Sequence, residues 1–342
     1  MNSSNESKAI YFLVTFFIGL MYVYFAVSMP NEWFRDRNYY VLYAEISGNL
    51  LSDFGSNLSL LVNEPLFLTA AKLFGDTFSS DTFPKFMCAI VTSIFVYVVA
   101  KKSRTFIMFL LGMVSLFFIS YLQTAQIMVL RQGVATAIFL LVFLSNMSDK
   151  KKLIICLVLS FFHSVFFIVS LLYALYLFYL RNRSTGTMLS MVAIVSAVLF
   201  LFSKFLLVYF GFRQAELYSV DSESGGGGAF VLSAIIFLYL YFYGDRSNKE
   251  LYDWSLIGIV LFLVGYYLFF SAGRLYVSFF PFILVLLISR SRLQDILFLT
   301  IINFIYIILF YNGGYLILFE TQDPFYISTL FSNHVSNLLD LF

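Results

Sequence analysis

Charge is scarce in this 342-residue chain. Asp, Glu, Lys and Arg make up 12% of it, where a soluble globular protein carries about 25%. Apolar residues fill the difference: 61% of the chain is hydrophobic and the mean hydropathy is +0.89. Runs of membrane-spanning length recur from one end to the other, which excludes a soluble domain and predicts an all-α polytopic membrane protein. Length then does not count soluble domains, and 1–342 is expected to form a single transmembrane domain. Cysteine is nearly missing. Cys88 and Cys156 both fall inside apolar runs, so a disulfide framework and a thiolate metal site are excluded, and both read as small core residues. Histidine is as rare, with only His163 and His334. There is no phosphate-binding Walker loop, dinucleotide fingerprint, His-Glu-x-x-His metal helix or Gly-x-Ser-x-Gly elbow. No pair of acids suggests a divalent metal, and no cofactor is expected. The net charge of +2 singles out no partner; no nucleic acid is expected.

What is present is a series of apolar segments. Candidate spans are 9–29, 84–100, 105–122, 127–146, 153–180, 188–209, 229–243, 255–271, 275–289 and 293–311. The run 153–180 is broken only by His163-Ser164. Basic clusters at Lys101/Lys102/Arg104, Lys150/Lys151/Lys152, Arg181/Arg183, Arg246/Lys249 and Arg290/Arg292 fall on one side if 153–180 crosses twice, turning near His163. The positive-inside rule makes that side cytoplasmic, with the N-terminus, and gives about eleven crossings. Its first half is short for a span, so one kinked helix over 153–180 is the rival reading. Three segments then lie outside: a polar loop over 30–82 with short helices, a glycine-rich loop over 211–228, and a C-terminal tail over 312–342. The first span, with an apolar run of about 20 residues, is expected to remain uncleaved.

The exceptions to this charge pattern matter most. Arg35, Arg37, Arg131, His163, Arg213 and Arg274 fall on the outer side. Arg131 and Arg274 sit at the outer ends of apolar helices, in Leu130-Arg131-Gln132-Gly133 and Ala272-Gly273-Arg274-Leu275. A guanidinium left in hydrocarbon costs about 2.5–3.5 kcal/mol on insertion scales. It must therefore find water, an anion or a protein partner. Snorkelling to lipid headgroups is the plain explanation; a diphosphate with a lipid tail is the functional one, because Arg binds phosphate oxygens bidentately. With no metal in view, Arg would do the electrostatic work on a bound phosphate.

A base is the other requirement of transfer chemistry. His163 has an ordinary pKa near 6.5, and Glu64 in Asn63-Glu64-Pro65 is the second candidate. Against these stand a histidine bonded to backbone at a helix break and a glutamate that only caps a helix. Asp36, Gln132, Tyr39, Tyr218 and Arg213 are further candidates, Tyr39 with Tyr40 and Trp33 for stacking on sugar rings. The four consecutive glycines, 225–228, read equally as a plain connector or as a loop that moves over a substrate.

Several short motifs, in order, resemble the EpsG family of bacterial polysaccharide polymerases, related in role to the O-antigen polymerase Wzy. They are Asn38-Tyr39-Tyr40-Val41-Leu42-Tyr43, Glu64-Pro65-Leu66-Phe67, Arg131-Gln132-Gly133-Val134-Ala135, Phe162-His163-Ser164, Tyr218 with the glycine run, Arg274-Leu275-Tyr276 and Pro324-Phe325-Tyr326. Asn38 stands where the family often has Asp, so that Asp36 is the candidate substitute, and Leu66 replaces a family Gly.

The resemblance implies a GT-C-like helical bundle in the bacterial inner membrane, with its active site facing the periplasm. It implies a metal-independent glycosyltransferase that joins undecaprenyl-diphosphate-linked oligosaccharide repeats, donor to acceptor, in O-antigen or surface-polysaccharide synthesis. A chain-length regulator is an expected protein partner beside the bilayer. In that scheme Arg131 and Arg274, with Arg35 or Arg37, hold the diphosphate, and His163 or Glu64 takes the acceptor's proton. A flippase of the same lipid-linked sugar also needs a cationic cavity but no base, and such transporters are built on internal repeats with midplane sites. An O-antigen ligase is the second alternative. A membrane acyltransferase would use the histidine but leave the arginines unexplained.

Overall fold

The computed structural model describes residues 3–53, 63–209, 227–269, 272–314, 318–320 and 324–339. The helices among them are α1 (Ser3–Ser28), α2 (Arg37–Asp53), α3 (Pro65–Gly75), α4 (Thr82–Lys102), α5 (Phe106–Phe118), α6 (Ser120–Met128) and α7 (Leu130–Phe143). They continue with α8 (Asp149–Ser160), α9 (Val165–Leu180), α10 (Thr185–Tyr209), α11 (Gly228–Tyr243), α12 (Lys249–Leu268), α13 (Ala272–Ile288), α14 (Leu293–Tyr311) and α15 (Pro324–Leu339). No strand occurs among the described residues beyond an isolated antiparallel bridge between Phe34 and Phe319. The helices start where sequence chemistry favours it. Pro65 takes the first helical position of α3, where its missing N–H costs nothing. The Thr105 and Asn248 side chains cap α5 and α12 by accepting from Met108 N and Leu251 N.

Among the described residues, five helices are long and apolar enough to cross a membrane, or six if the bent pair Phe106–Phe118 and Ser120–Met128 is one span, and five shorter apolar helices stand beside them. Some apolar runs are divided by breaks that an average over apolar residues does not register. The run expected over 105–122 turns by 72° at Ile119, and its continuation, a π-helix at Thr124–Met128, occupies the expected linker. Val129 then leaves helical geometry (φ −86°, ψ 64°), so α7 is a 14-residue helix, about 21 Å long. A normal span needs about 20 residues. The 312–342 tail contains α15, a helix not expected there.

The contacts resolve two compact units. The first comprises Met1–Glu45, Ala71–Ala137 and Leu287–Phe342. In it α1 packs along α4, and α5 against α14. The latter pair is joined by a buried polar link: Ser115 Oγ donates to Asn303 Oδ1 at 2.9 Å, and Asn303 Nδ2 to the Leu111 carbonyl at 3.0 Å. Hydrogen bonds of this kind replace the hydrophobic drive that helices lack in lipid. His334 of α15 lies 3.0 Å from Ser28 Oγ, between the rings of Phe25 and Trp33.

The second unit comprises Ile46–Ala70 and Ile138–Leu286. In it α8 and α9 form an antiparallel hairpin that turns at residues 161–164, so the chain reverses beside His163. The reversal is fixed at its far end by Arg181 Nη1 on Asp149 Oδ2 at 2.5 Å and midway by Ser170 Oγ on Cys156 Sγ at 3.2 Å. The Lys150–Lys152 and Arg181/Arg183 clusters thereby share one end of the hairpin. Trp254 of α12 is fully buried among Tyr173, Phe279 and Phe139, with ring centroids 5.0–6.1 Å away. At the same end, Lys152 pairs with Glu250, which also accepts from the Tyr173 hydroxyl at 2.9 Å.

Close packing in the second unit rests on Gly258 of α12. A Cβ there would fall 2.4–2.6 Å from the Cβ and ring of Phe279, atoms fixed to the backbone of α13. Gly258→Ala is expected to cost about 1–3 kcal/mol, as overpacking does, whereas Gly186→Ala, with nothing within 4 Å of its Cβ, leaves stability unchanged. Thermal melts of both variants in detergent test this; equal melting temperatures would contradict the packing.

Candidate active site

In the second unit, two polar segments that interrupt apolar sequence are brought together. Asn63-Glu64-Pro65 opens α3, and Phe161–Ser164 is the turn of the α8–α9 hairpin. Four hydrogen bonds join them. The Leu66 N–H donates to the Phe161 carbonyl at 3.0 Å. Glu64 Oε1 lies 2.7 Å from His163 Nδ1, 3.1 Å from Ser164 N and 3.2 Å from Ser164 Oγ. Phe67 meets Phe162 edge to face at 5.8 Å. Glu64 and His163 are 3% and 5% exposed.

The backbone at Glu64 is strained to achieve this. Its φ is +63°, a left-handed conformation uncommon outside glycine and further disfavoured before proline. Such strain persists only where surroundings over-determine it, and it concentrates at functional sites. The Glu64 carbonyl accepts the first helical bond of α3, from Leu68 N at 3.1 Å, so the residue caps the helix through its backbone. Its carboxylate oxygen Oε1 is turned instead to the histidine turn. His163 Nδ1 faces that carboxylate, the pairing by which a carboxylate orients an imidazole and selects its tautomer.

Arg131 and Arg274 each lie in the first turn of a helix. Arg131 belongs to α7 in the first unit; its guanidinium sits 5.6 Å from the Tyr43 ring, and its N–H lies 3.5 Å from the Tyr40 hydroxyl. The break before α7 folds the chain back tightly. A Cβ on Gly133 would stand 1.9 Å from the Ala125 carbonyl oxygen, which explains glycine at the third position of Arg131-Gln132-Gly133. Arg274 is exposed on α13 in the second unit. A cation in a helix's first turn opposes the macrodipole, whereas the two together attract an anion.

Arg37 requires a correction. Expected beside Arg35 as a diphosphate ligand, it is 0% exposed. Its Nε donates to the Ile127 carbonyl at 2.9 Å, and its Nη atoms to the Met29 and Ala26 carbonyls at 3.1 and 3.4 Å and to Cys88 Sγ at 3.4 Å. The guanidinium lies 4.4 Å from the Phe34 ring centroid. No carboxylate pairs with it among the described residues, and burial pushes its pKa down from the ordinary value. Its donors are spent on the ends of α1 and α6, so its role is structural. Arg35 and Tyr39 are exposed, Asp36 half-buried and Gln132 buried. Arg213 and Tyr218, with most of the glycine-rich loop, lie outside the described residues. Two residues near these groups were given no role in the sequence: Ser164, whose only signal is adjacency to His163, and Tyr43, whose signal is the tyrosine-rich start of α2; Tyr40, expected to stack on sugar, is buried with its hydroxyl 3.5 Å from the Arg131 N–H. Among the described residues no group of three or more His, Cys, Asp or Glu side chains is placed to hold a metal ion.

A sequence model of the EpsG family matches residues 8–326 of the chain. No curated protein and no solved structure matches it.

Arg37→Gln is expected to lower the melting temperature and the folded yield, since each buried carbonyl left unpaired costs about 1–3 kcal/mol. The neighbouring Arg35→Gln has no such effect. A stable, monodisperse Arg37→Gln protein would return this residue to the ligand candidates.

Proposed function

The chain belongs to the EpsG family of polysaccharide-polymerase-like membrane proteins, and from that premise we propose that it joins lipid-diphosphate-linked oligosaccharide repeats by glycosyl transfer. The observation that carries the proposal is the buried Glu64–His163 pair at 2.7 Å. The pair supplies the base that glycosyl transfer needs, whereas flipping the same lipid-linked sugar does not require one.

In the proposed reaction the donor is a glycan on undecaprenyl diphosphate and the acceptor is one lipid-linked repeat. The acceptor's terminal hydroxyl oxygen bonds to the donor's anomeric carbon as the bond from that carbon to the diphosphate oxygen breaks. His163 Nε2 takes the hydroxyl proton, and the lipid diphosphate leaves with the electron pair. Glu64 acts as a positioning residue: its carboxylate fixes the ring and stabilises the imidazolium that forms. Arg131 and Arg274 are the proposed diphosphate ligands, stabilising charge that grows on the leaving group. Arg35, exposed two residues before α2, is a secondary candidate for the same role, and Tyr39 one for stacking on sugar. The chemistry is metal-independent and GT-C-like in this reading, works on the periplasmic face of the inner membrane, and supplies O-antigen or another surface polysaccharide. A chain-length regulator is its expected protein partner.

The test uses purified full-length protein in nanodiscs with lipid-linked repeats, the glycans being resolved on a gel. Wild type should give a ladder. His163→Ala should lose about 10²–10⁴-fold in rate, the usual contribution of a general base. Glu64→Gln should lose less, alter the pH–rate profile, and be partly rescued by Glu64→Asp. Arg131→Ala and Arg274→Ala should weaken donor binding as well as turnover. A ladder that survives His163→Ala would overturn the choice of base. Sugar crossing liposomes with no ladder would overturn the polymerase reading itself.

A further inference from the structure

The first unit carries a groove between α1 and α4, lined by none of the site residues discussed above. Its volume is about 460 Å³. Small residues make its floor. Gly19 lets α1 approach α4 so closely that a Cβ there would lie 2.5 Å from Val96 Cγ1. Thr15, also lining the groove, bonds its hydroxyl back to the Tyr11 and Phe12 carbonyls at 2.9 and 3.0 Å, which removes that group from the list of donors a ligand could use. Large exposed side chains make the walls: Phe12 and Phe16 stack at 6.1 Å, with Leu20 beyond them.

One end of the groove is cationic. Lys101 lines it, with Nζ donating to the Tyr97 hydroxyl at 2.9 Å. Lys102 follows in the last turn of α4, and Arg104 is exposed two residues beyond. The groove is therefore apolar along its length and positive at a single end. Along α1 it runs from Tyr11 to Val23, about 18 Å at the helical rise. One leaflet of a bilayer's hydrocarbon core is about 15 Å deep.

We propose that this groove binds one anionic phospholipid, with an acyl chain lying along Gly19 and the phosphate at Lys101. Three observations agree on that occupant. The length matches one leaflet, the lining is apolar, and the charge sits where a headgroup would be. A zwitterionic lipid fits the groove but gains less from Lys101 at its end. A transmembrane helix of another protein fits the apolar length and does not call for the basic end. The site is separate from the Glu64–His163 centre, and the proposal stands whether or not the glycosyl-transfer reading does.

The experiment is native mass spectrometry of the full-length protein in neutral detergent, offered dioleoyl phosphatidylglycerol and dioleoyl phosphatidylcholine at equal concentration. Wild type is expected to retain one phosphatidylglycerol in preference to phosphatidylcholine. Lys101→Gln is expected to reduce that preference about fivefold, the worth of one lysine near an anionic surface, without altering retention of phosphatidylcholine. Ser93→Phe, which fills the groove from an exposed position, is expected to lose both lipids while keeping the wild-type melting temperature. Equal retention of the two lipids by wild type would overturn the proposal. So would an unchanged preference in Lys101→Gln, undiminished binding in Ser93→Phe, or displacement of the phospholipid by an equimolar polyprenyl phosphate.

Discussion

A helix that stops inside apolar surroundings leaves backbone groups without partners, and the structure depends on how those groups are satisfied. Helix ends carry four unpaired donors or acceptors each, and irregular backbone at membrane depth survives only where protein or water meets its polar groups. This chain meets the demand with charged side chains of matching sign. At the C-terminal ends of α1 and α6, the Arg37 guanidinium donates to the carbonyls of Ala26, Met29 and Ile127. At the N-terminal end of α9, the Glu64 carboxylate accepts from Ser164. Cation at the C-terminus and anion at the N-terminus is also what the helix dipole favours.

The same arithmetic separates Arg37 from Arg131 and Arg274. All three are guanidiniums in largely apolar sequence, but Arg37 serves helix C-termini, where it is favourable in the folded chain itself. Arg131 and Arg274 occupy first turns, where the backbone offers them repulsion. A diphosphate reverses that sign, because helix N-terminus and guanidinium then attract the same group. Arg37 thus sits where the helix dipole favours a cation, and Arg131 and Arg274 sit where it does not.

The segments of the candidate site were legible in the sequence for a simple reason. Where apolar sequence is broken, polar residues that remain are there for cause, and Asn63-Glu64-Pro65 and Phe162-His163-Ser164 are such breaks. Their pairing was not legible, because 99 residues separate Glu64 from His163 and no periodicity links them. Arg37 misled for the opposite reason. Arg35-Asp36-Arg37 has the composition of a solvated loop, and the burial of one arginine two positions from an exposed one is decided by helix ends from distant parts of the chain. Mean hydropathy is blind to the turn at Ile119 and to the dihedral angles of Val129, each a change of direction within largely apolar sequence.

Strain at Glu64 links these threads. A left-handed residue before proline is unfavourable by itself, of order 1–3 kcal/mol, and glycine would relieve it. Glycine would also delete the carboxylate that docks α3 on the hairpin turn and orients His163. Pro65 fixes the direction in which α3 leaves, so the carboxylate cannot relax toward its own helix without breaking the Leu66–Phe161 bond. The strained backbone, the helix start and the histidine tautomer form one mechanical unit. Glutamate at that position therefore does two things at once: it ties α3 to the hairpin turn through Ser164 and sets the ring of His163.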